Sequence, residues 1–356
     1  MASAARPAPS PSDCKKCGSH VAPSLLACPG CGALAHAATL TTLAASAESA
    51  EQLGDLTAAL SHWRDALDLL PQNMPQYAVI HERIAGLSER VSNGEGKSAG
   101  ATPEAGGVRQ VWKNGGVSAI VIAFLLKFKA ILILLLTKGK LLLLGFAKLP
   151  TLFSMVAYGG YYWSRWGWPL ALGLLLSLYV HEMGHVIVLR RYGVKAGAPI
   201  FIPGLGAFVM LKQVLNNRRE NARTGLAGPL YGLGATVLTY VAYRVTGRTT
   251  FAAIASLSGV LNAVNLLPIW TLDGGRGFVT LTRRERWIAA AGVAIIAFLF
   301  HAPLILMLAG VCAAVAILGT PSDRPDPQML GLYLFLLAAH AGIAILAHSA
   351  VATAGV

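Results

Sequence analysis

The chain has 356 residues, of which 55% are hydrophobic and only 13% are charged. Soluble globular proteins carry about 25% charged residues, so this composition excludes an ordinary soluble protein and predicts a membrane protein. Lysine and arginine outnumber the acidic residues by 29 to 16, which gives a formal net charge of +13. The basic residues lie in short loops beside apolar segments, as the positive-inside rule expects, and no RNA-binding signature accompanies them. We therefore expect no nucleic-acid partner.

Acidic residues are distributed unevenly along the chain. Residues 1–104 contain ten of them, whereas residues 105–322 contain only Glu182, Glu220, Asp273 and Glu285. This asymmetry predicts a small soluble N-terminal region followed by a polytopic α-helical membrane region of about six membrane-associated helical segments. Residues 1–12 lack the apolar run of a secretory signal peptide, so we expect the N-terminal region in the cytoplasm and the protein in the cell membrane.

Changes in composition divide the chain into six predicted parts. They are a zinc-ribbon-like module at 1–36, a helical segment at 37–91, a flexible linker at 92–107, basic apolar helices with a first crossing at 108–163, a membrane core at 164–286 and C-terminal membrane helices at 287–356.

Four cysteines form two C-x2-C pairs, Cys14 with Cys17 and Cys28 with Cys31, and each pair is followed by a glycine. Two such knuckles can enclose one structural zinc in a tetrahedron of sulfur atoms. Four thiolates leave no open coordination position, so we expect this zinc to stabilise the module rather than to catalyse a reaction. The alternative is a pair of disulfides in a secreted module. Cys312 lies alone in an apolar segment and is expected to be a buried hydrophobic residue.

The segment from Thr39 to Arg90 has the spacing of helices. Ala59, Trp63, Ala66 and Pro71 follow the turn at Gly54 in the order of small, aromatic and proline positions that resembles one tetratricopeptide repeat. One repeat is too short for a solenoid, and an ordinary helical hairpin is an equal alternative. In either case, residues 14–90 are expected to bind a cytosolic protein partner.

The apolar segment 117–136 carries Lys127 and Lys129 near its middle, and Lys138, Lys140 and Lys148 follow it. A lysine at the centre of a bilayer costs about 2.5–3.5 kcal/mol on insertion scales. We therefore expect a helix at the membrane surface, with the region Lys127–Lys148 bound to anionic lipid headgroups, and a first crossing from Leu141 to Trp163.

Later segments are more uniformly apolar and are predicted to be helical. Their predicted ranges are 168–189, 226–243, 251–272, an interrupted stretch at 287–318, and 329–348. The stretch 199–212 instead combines β-branched and aromatic residues with closely spaced Pro199, Pro203, Gly204 and Gly206. It predicts a strand or hairpin at the membrane surface, whose edge can pair with an extended peptide.

An HExxH motif, His181-Glu182-Met183-Gly184-His185, lies inside an apolar helix. Histidines at i and i+4 project from one helix face and can hold one zinc, with Glu182 placed to accept a proton from the attacking water. Ionisable residues within a membrane span are expensive and indicate function.

A zinc site of this type needs a third protein ligand. Glu220 and Glu285 lie among arginines and are expected to be solvated or ion-paired, and His301, His340 and His348 have no partner motif. Asp273 remains, near Pro268, which can end a helix, and before Gly274 and Gly275, which allow close backbone approach. His181, His185 and Asp273 would leave one position open for water.

Together, HEMGH, LAGPL at 226–230 and NLLPIWTLDGGR at 265–276 resemble the site-2 protease family of intramembrane zinc metalloproteases, over about Trp168 to Arg286. The resemblance implies that His181, His185 and Asp273 bind the catalytic zinc and that Glu182 is the catalytic acid and base. It also implies cleavage of a transmembrane protein substrate in regulated intramembrane proteolysis. Asn265 would position the substrate or its oxyanion, with a structural hydrogen bond as the alternative.

A transmembrane helix hides its carbonyl groups in hydrogen bonds, so a substrate must unwind before it is cleaved. The strand at 201–211, with Gly204 and Gly206 at its start, could hold the opened segment. Two other hypotheses use the same residues. One is a catalytically inactive membrane scaffold of the same fold, and the other is a zinc transporter or sensor.

Overall fold

The computed structural model describes residues 12–22, 24–95, 149–203, 206–211, 213, 215, 217–269, 272–300 and 303–353. The predicted surface helix at 117–136, the lysines from Lys127 to Lys148, most of the linker, Gly204 and His301 lie outside these residues. The chain divides into two compact units. The first is Met1–Gly100 together with Arg190–Val194, and the second is Ala101–Leu189 together with Lys195–Val356.

The first unit begins with a small ribbon. Strands β1 (Ser12–Asp13) and β2 (His20–Val21) pair antiparallel, and an isolated bridge joins Ala27 to Leu34. Each C-x2-C knuckle closes with a backbone hydrogen bond, from Gly18 N to Cys14 O at 2.8 Å and from Gly32 N to Cys28 O at 2.9 Å. Both glycines have φ near +70°, the left-handed conformation that glycine adopts readily.

Three helices follow in the same unit: α1 (Ala37–Gln52), α2 (Leu56–Leu67) and α3 (Pro75–Ser92). The Asp55 side chain accepts a hydrogen bond from Ala58 N at 3.0 Å and so caps α2. Trp63 is 3% exposed, packs among the apolar residues of all three helices and donates through Nε1 to Glu51 at 2.7 Å. The predicted helices are confirmed, while their assignment to a tetratricopeptide repeat stays a prediction.

A short distant segment completes this unit. Tyr192 is 3% exposed, its carbonyl accepts from Arg64 Nε at 3.0 Å, and its hydroxyl lies 2.9 Å from Ser92 Oγ. The Thr57 hydroxyl donates to Arg191 O at 3.1 Å. Helices α2 and α3 therefore hold the segment Arg190–Val194, which sequence patterns did not predict.

The second unit is mainly helical. Its helices are α4 (Leu149–Trp166), α5 (Trp168–Arg191, with its last two residues in the first unit), α6 (Arg218–Thr246), α7 (Thr249–Asn265), α8 (Asp273–Phe278), α9 (Arg283–Leu299), α10 (Pro303–Leu318) and α11 (Pro327–Thr353). Among the described residues, α5, α6 and α11 are long and apolar enough to cross a membrane. The interrupted stretch at 287–318 is two helices, as predicted.

The predicted hairpin is present as β3 (Ala196–Ile202) and β4 (Gly206–Leu211), paired antiparallel with Ile200 opposite Phe208. Phe201 is 2% exposed and packs against Tyr158 of α4 and Tyr179 of α5. Its backbone N–H donates to Ser154 Oγ at 3.2 Å. These contacts place the hairpin beside the part of α5 that precedes the HExxH motif.

Glu220 and Glu285 were expected to be solvated or ion-paired; both side chains are buried, so the solvated alternative is wrong. Glu285 completes a capping box with Thr282 at the start of α9 and accepts the Asp326 backbone N–H at 2.8 Å. The adjacent Arg286, also buried, donates to the carbonyls of Phe278 and Thr320. Glu285 and Arg286 therefore stabilise helix ends and loops, because each one satisfies backbone groups that would otherwise lack partners.

Candidate metal centre

Helix α5 carries both histidines of the HExxH motif on one face. His181 and His185 are 2% and 6% exposed, and their Nε2 atoms lie 3.2 Å apart. The residues around them on α5 are apolar, so the helix is buried on this side and the imidazoles point into the protein. Two imidazole nitrogen atoms placed in this way commonly supply two of the protein ligands of a zinc ion.

Asp273 reaches the same point from another part of the chain. Its Oδ2 lies 3.0 Å from His181 Nε2, and its Oδ1 lies 3.3 Å from His185 Nε2. Helix α7 ends at Asn265, and Asp273 opens α8. A Cβ at Gly274 would overlap the Leu266 carbonyl, so glycine allows the short connection to fold tightly enough to deliver the carboxylate.

The spacing of these three side chains fits zinc. In a tetrahedral site with bonds of ~2.1 Å, the ligand atoms lie about 3.4 Å apart, close to the observed separations of 3.0–3.3 Å. A Cβ at Gly228 of α6 would lie 2.5 Å from His181 Nε2 and overlap His185 Nε2. The wall of the site is therefore bare backbone, which leaves room for a metal. Residues His181, His185 and Asp273 are the group that could hold it.

Glu182 lies beside this group but farther out. Its side chain is 3% exposed, and a carboxylate oxygen lies within 4.8 Å of ligand nitrogens of both histidines. The shorter separations of the Asp273 oxygens favour Asp273 as the ligand and leave Glu182 at the distance of a base that acts on water.

The other ring nitrogen of each histidine, Nδ1, also has a hydrogen-bond partner. His185 Nδ1 lies 2.7 Å from Thr224 O, and His181 Nδ1 lies 2.8 Å from Asn262 Oδ1. Ligand histidines commonly donate their other N–H in this way, which directs Nε2 towards the metal. The sequence interpretation missed Asn262, although Ser258 and Asn262, spaced i and i+4 in an apolar helix, were a signal for it.

The other predicted residues lie elsewhere. Asn265 is half-buried at the end of α7, one turn after Asn262, and Gly206 begins β4 with φ +107°. His340 is fully buried, with Nε2 2.9 Å from Pro229 O, and His348 is exposed. The substrate roles of Asn265, Gly204 and Gly206 stay predictions.

The four N-terminal cysteines form a second cluster. Cys14 Sγ lies 3.7 Å from Cys31 Sγ, and Cys17 Sγ lies 3.5 Å from Cys28 Sγ, with all four sulfurs within 4.8 Å of one another. A tetrahedral zinc with bonds of ~2.3 Å separates its sulfurs by about 3.8 Å. Hydrogen bonds from the Ser19 side chain and backbone lower the pKa of Cys17 to about 6. The predicted cysteine cluster is confirmed, and its chemistry suits a metal bound through thiolates.

Comparison with known proteins supports the same interpretation. Residues 169–249, which carry the HExxH motif and α6, match Peptidase family M50. The resemblance to the site-2 proteases is confirmed. No solved structure matches the chain significantly.

Relatives with curated names agree with this family match. The zinc metalloprotease MJ0392 of Methanocaldococcus jannaschii is 30% identical over 108 residues, which cover 29% of this chain and 31% of that protein. Rip3 of Mycobacterium tuberculosis is 32% identical over 141 residues, covering 36% and 34%, and EGY2 of Arabidopsis thaliana is 34% identical over 80 residues, covering 21% and 14%. Both names also contain the words zinc metalloprotease. The chain thus spans about a third or less of the length of these relatives.

Proposed function

We propose that this chain is an intramembrane zinc metalloprotease that hydrolyses peptide bonds in or near transmembrane segments of membrane proteins. The convergence of His181, His185 and Asp273 within 3.3 Å of one another, with Glu182 adjacent, carries the proposal. Burying these ionisable groups within a membrane region is costly, and their presence there therefore indicates a function. The names of the related proteins support the same activity.

The proposed chemistry assigns one role to each side chain. His181, His185 and Asp273 hold the catalytic zinc, and a bound zinc supplies polarisation of the scissile carbonyl and activation of the attacking water. Glu182 accepts a proton as the water oxygen bonds to the carbonyl carbon. When the C–N bond breaks, Glu182 returns that proton to the leaving amine nitrogen. The reaction consumes one water and needs no other reactant.

The hairpin suits the binding of an unwound substrate segment. Phe201 N, on β3, donates to Ser154 of α4 rather than to β4. This covers part of the β3 edge and favours β4 as the edge to which an extended peptide adds by backbone hydrogen bonds. Gly204 and Gly206 would shape the turn that presents this edge, and Asn265 would orient the peptide near the metal.

A second, structural zinc would occupy the cysteine cluster. Separations of 3.5 and 3.7 Å between paired sulfurs support one ion bound by Cys14, Cys17, Cys28 and Cys31. Such a site stabilises a ribbon too small to fold on its own core. The first unit would recruit a cytosolic protein partner through residues 14–90, and the lysines from Lys127 to Lys148 would bind anionic lipid headgroups.

In the proposed topology, about six helical segments associate with the membrane, and the N-terminal region faces the cytoplasm. Positive residues around two loops support this orientation by the positive-inside rule. They are Arg190, Arg191, Lys212, Arg218, Arg219 and Arg223 around the first loop, and Arg276, Arg283, Arg284 and Arg286 around the second. A cysteine placed at Asn216 should react with an impermeant reagent only in permeabilised cells, and labelling in intact cells would overturn this orientation.

The test of the proposed activity compares two variants of the full chain. Glu182→Gln should retain zinc but lose cleavage of a membrane-embedded substrate, because it removes the proton acceptor and no ligand. Asp273→Ala should lose both cleavage and the zinc of this site. Cleavage at the wild-type rate in Glu182→Gln would refute the mechanism. Full complementation of a deletion by Glu182→Gln would indicate a scaffold, and zinc flux without peptide cleavage would indicate a transporter.

A further inference from the structure

Asn262, on α7, joins that helix to the metal centre on α5. Its side chain is 4% exposed, and its Oδ1 lies 2.8 Å from Nδ1 of His181, which is itself 2% exposed. Unlike the Thr224 carbonyl that holds His185, this partner is a side chain, so its contribution can be removed by substitution.

A second hydrogen bond fixes the orientation of the Asn262 amide. Nδ2 donates to Ser258 O, one turn earlier on α7, at 2.8 Å. A carbonyl accepts and cannot donate, so the amide nitrogen must face Ser258 and the amide oxygen must face His181. That oxygen can only accept, which places the imidazole proton on Nδ1 and leaves the Nε2 lone pair directed towards Asp273.

Helix α6 blocks the remaining freedom of the amide. A Cβ at Gly232 would lie 2.8 Å from both Cγ and Nδ2 of Asn262 and would overlap Oδ1. The side chain thus fits against bare backbone on one side and the imidazole on the other. Even a methyl group at position 232 would push the amide out of this place.

We propose that Asn262 is a positioning residue that orients His181 for the metal, and that Gly232 is required to seat it. The inference rests on the proposed zinc site and not on proteolysis. Two helices other than α5 therefore determine the orientation of the His181 imidazole. Helix α7 contributes the hydrogen bond to Asn262, and α6 contributes the space beside Gly232 in which the Asn262 amide fits.

A neighbouring polar cluster provides a matched control. One turn from the metal centre, Ser177 Oγ lies 2.5 Å from Ser258 Oγ, which lies 2.9 Å from Thr236 Oγ1. All three residues are buried on the same three helices, and their hydroxyls bond to one another and to the Gly232 carbonyl rather than to His181. Ser177→Ala should remove a buried hydrogen bond between α5 and α7 without changing the orientation of the His181 imidazole.

The experiment measures zinc retained by the full chain in detergent after equilibration with graded chelator. Asp273→Ala defines the zinc left in the cysteine cluster, and the difference from wild type reports the α5 site. We expect Asn262→Ala to weaken zinc binding about 10- to 100-fold, the usual effect of losing a partner of a ligand histidine. Asn262→Asp, which keeps an acceptor oxygen, should lose less zinc affinity than Asn262→Ala.

Gly232→Ala should also weaken zinc binding, whereas Gly234→Ala, whose Cβ would meet nothing within 4 Å, should not.

The double variant Gly232→Ala/Asn262→Ala should bind zinc no more weakly than Asn262→Ala alone, because the clash disappears with the amide. Additive losses would show that Gly232 acts by another route and would overturn its part of the proposal. Wild-type affinity in Asn262→Ala, or an equal loss in Ser177→Ala, would overturn the role of Asn262. If wild type and Asp273→Ala retain the same zinc, the proposed metal site itself fails.

Discussion

The Nε2 atom of His181 lies 3.0 Å from Oδ2 of Asp273, and this contact joins the middle of α5 to the first residue of α8. An Asp273 oxygen also lies 3.3 Å from His185 Nε2, so the three proposed ligand groups surround one small space. A site this compact has little tolerance for added atoms. The backbone that faces it on α6 should therefore be as important as the ligands.

Gly228→Ala should abolish zinc binding at this site, because the new methyl group would occupy the space next to both imidazole Nε2 atoms. Gly234→Ala, on the same helix and with open space around it, should bind zinc like wild type. Zinc content of the purified full chain, with Asp273→Ala as the zero point, provides the measurement. Full zinc occupancy in Gly228→Ala would contradict the assigned position of the metal.

The hairpin register predicts which backbone groups of β4 face outward. Phe201 pairs with Ala207, and its N–H points away from β4 towards Ser154, so this is a non-hydrogen-bonded pair. The alternation makes Pro199 and Val209 the next such pair, which agrees with the missing N–H of proline. The N–H groups of Ala207 and Val209 should therefore point to the outer edge of β4.

Val209→Pro should lower cleavage of a membrane-embedded substrate while leaving zinc content unchanged, because it removes one outward donor for an added strand. Val209→Ala truncates the side chain but keeps the N–H, and it should retain most of the activity. Initial cleavage rates of both variants give the comparison. Equal rates would argue against strand addition at β4.

In Ser19→Ala, the cysteine cluster should lose its zinc at a higher pH than in the wild type. Hydrogen bonds to Ser19 are the largest of the causes that lower the pKa of Cys17 to about 6, so its thiolate is available above that pH and is lost as the pH falls through it. Without the Ser19 hydroxyl the pKa of Cys17 rises towards its ordinary value, so at neutral pH metal binding must displace a proton from Cys17 in addition to that of Cys31. Affinity should fall by up to about tenfold for each unit by which the pKa exceeds the pH.

Zinc retained by the full chain between pH 5 and 8 checks this expectation, in an Asp273→Ala background that removes the other ion. Ser24→Ala, an exposed serine of the same ribbon, is the control and should titrate like wild type. An unchanged midpoint in Ser19→Ala would show that this hydroxyl does not influence metal binding.

Gly193→Ala should destabilise the first unit. Gly193 has φ +66°, and a Cβ there would lie 2.5 Å from Ser61 N on α2. Gly54→Ala shares the positive φ, at +74°, but its Cβ would meet nothing within 4 Å. The left-handed conformation costs a non-glycine residue about 1–2 kcal/mol in both variants, and the steric clash adds to this only at position 193.

Hydrogen exchange of α2 in the full chain measures the effect. Amides of Leu56–Leu67 should exchange faster in Gly193→Ala than in Gly54→Ala. The same exchange rates in the two variants would mean that the segment Arg190–Val194 contributes nothing to the stability of α2.

The sequence predicted best those parts of the molecule where chemistry restricts residue identity. Zinc accepts few ligand types at few spacings, so His181, His185, Asp273 and the four cysteines could be proposed as ligands from the sequence, and the structure brings each set together. A strand or hairpin was also predicted at 199–212, because the prolines and glycines there are incompatible with a helix, and the observed hairpin extends from Ala196 to Leu211.

Asn262 was not identified from the sequence, because its role depends on the rotation of α7 against α5 and on the gap at Gly232. The burial of Glu285 was unpredictable for a similar reason, since its partner Asp326 lies in a distant loop. Patterns along the chain report local structure and required chemistry. They report poorly on hydrogen bonds between elements that are distant in sequence.

Because Arg190–Val194 belongs to the first unit, that unit cannot complete its folding until this later segment has been synthesised. Chains are synthesised from the N-terminus at about 5–20 residues per second, so Tyr192 leaves the ribosome on the order of 10 s after Ser92. During that interval, Arg64 and Ser92 lack the groups of Tyr192 that they contact in the finished protein. Until α5 has been translated, the nascent helices α1–α3 therefore lack these two hydrogen bonds. A chaperone or partner that binds α2 in this interval would compete with the protein's own segment.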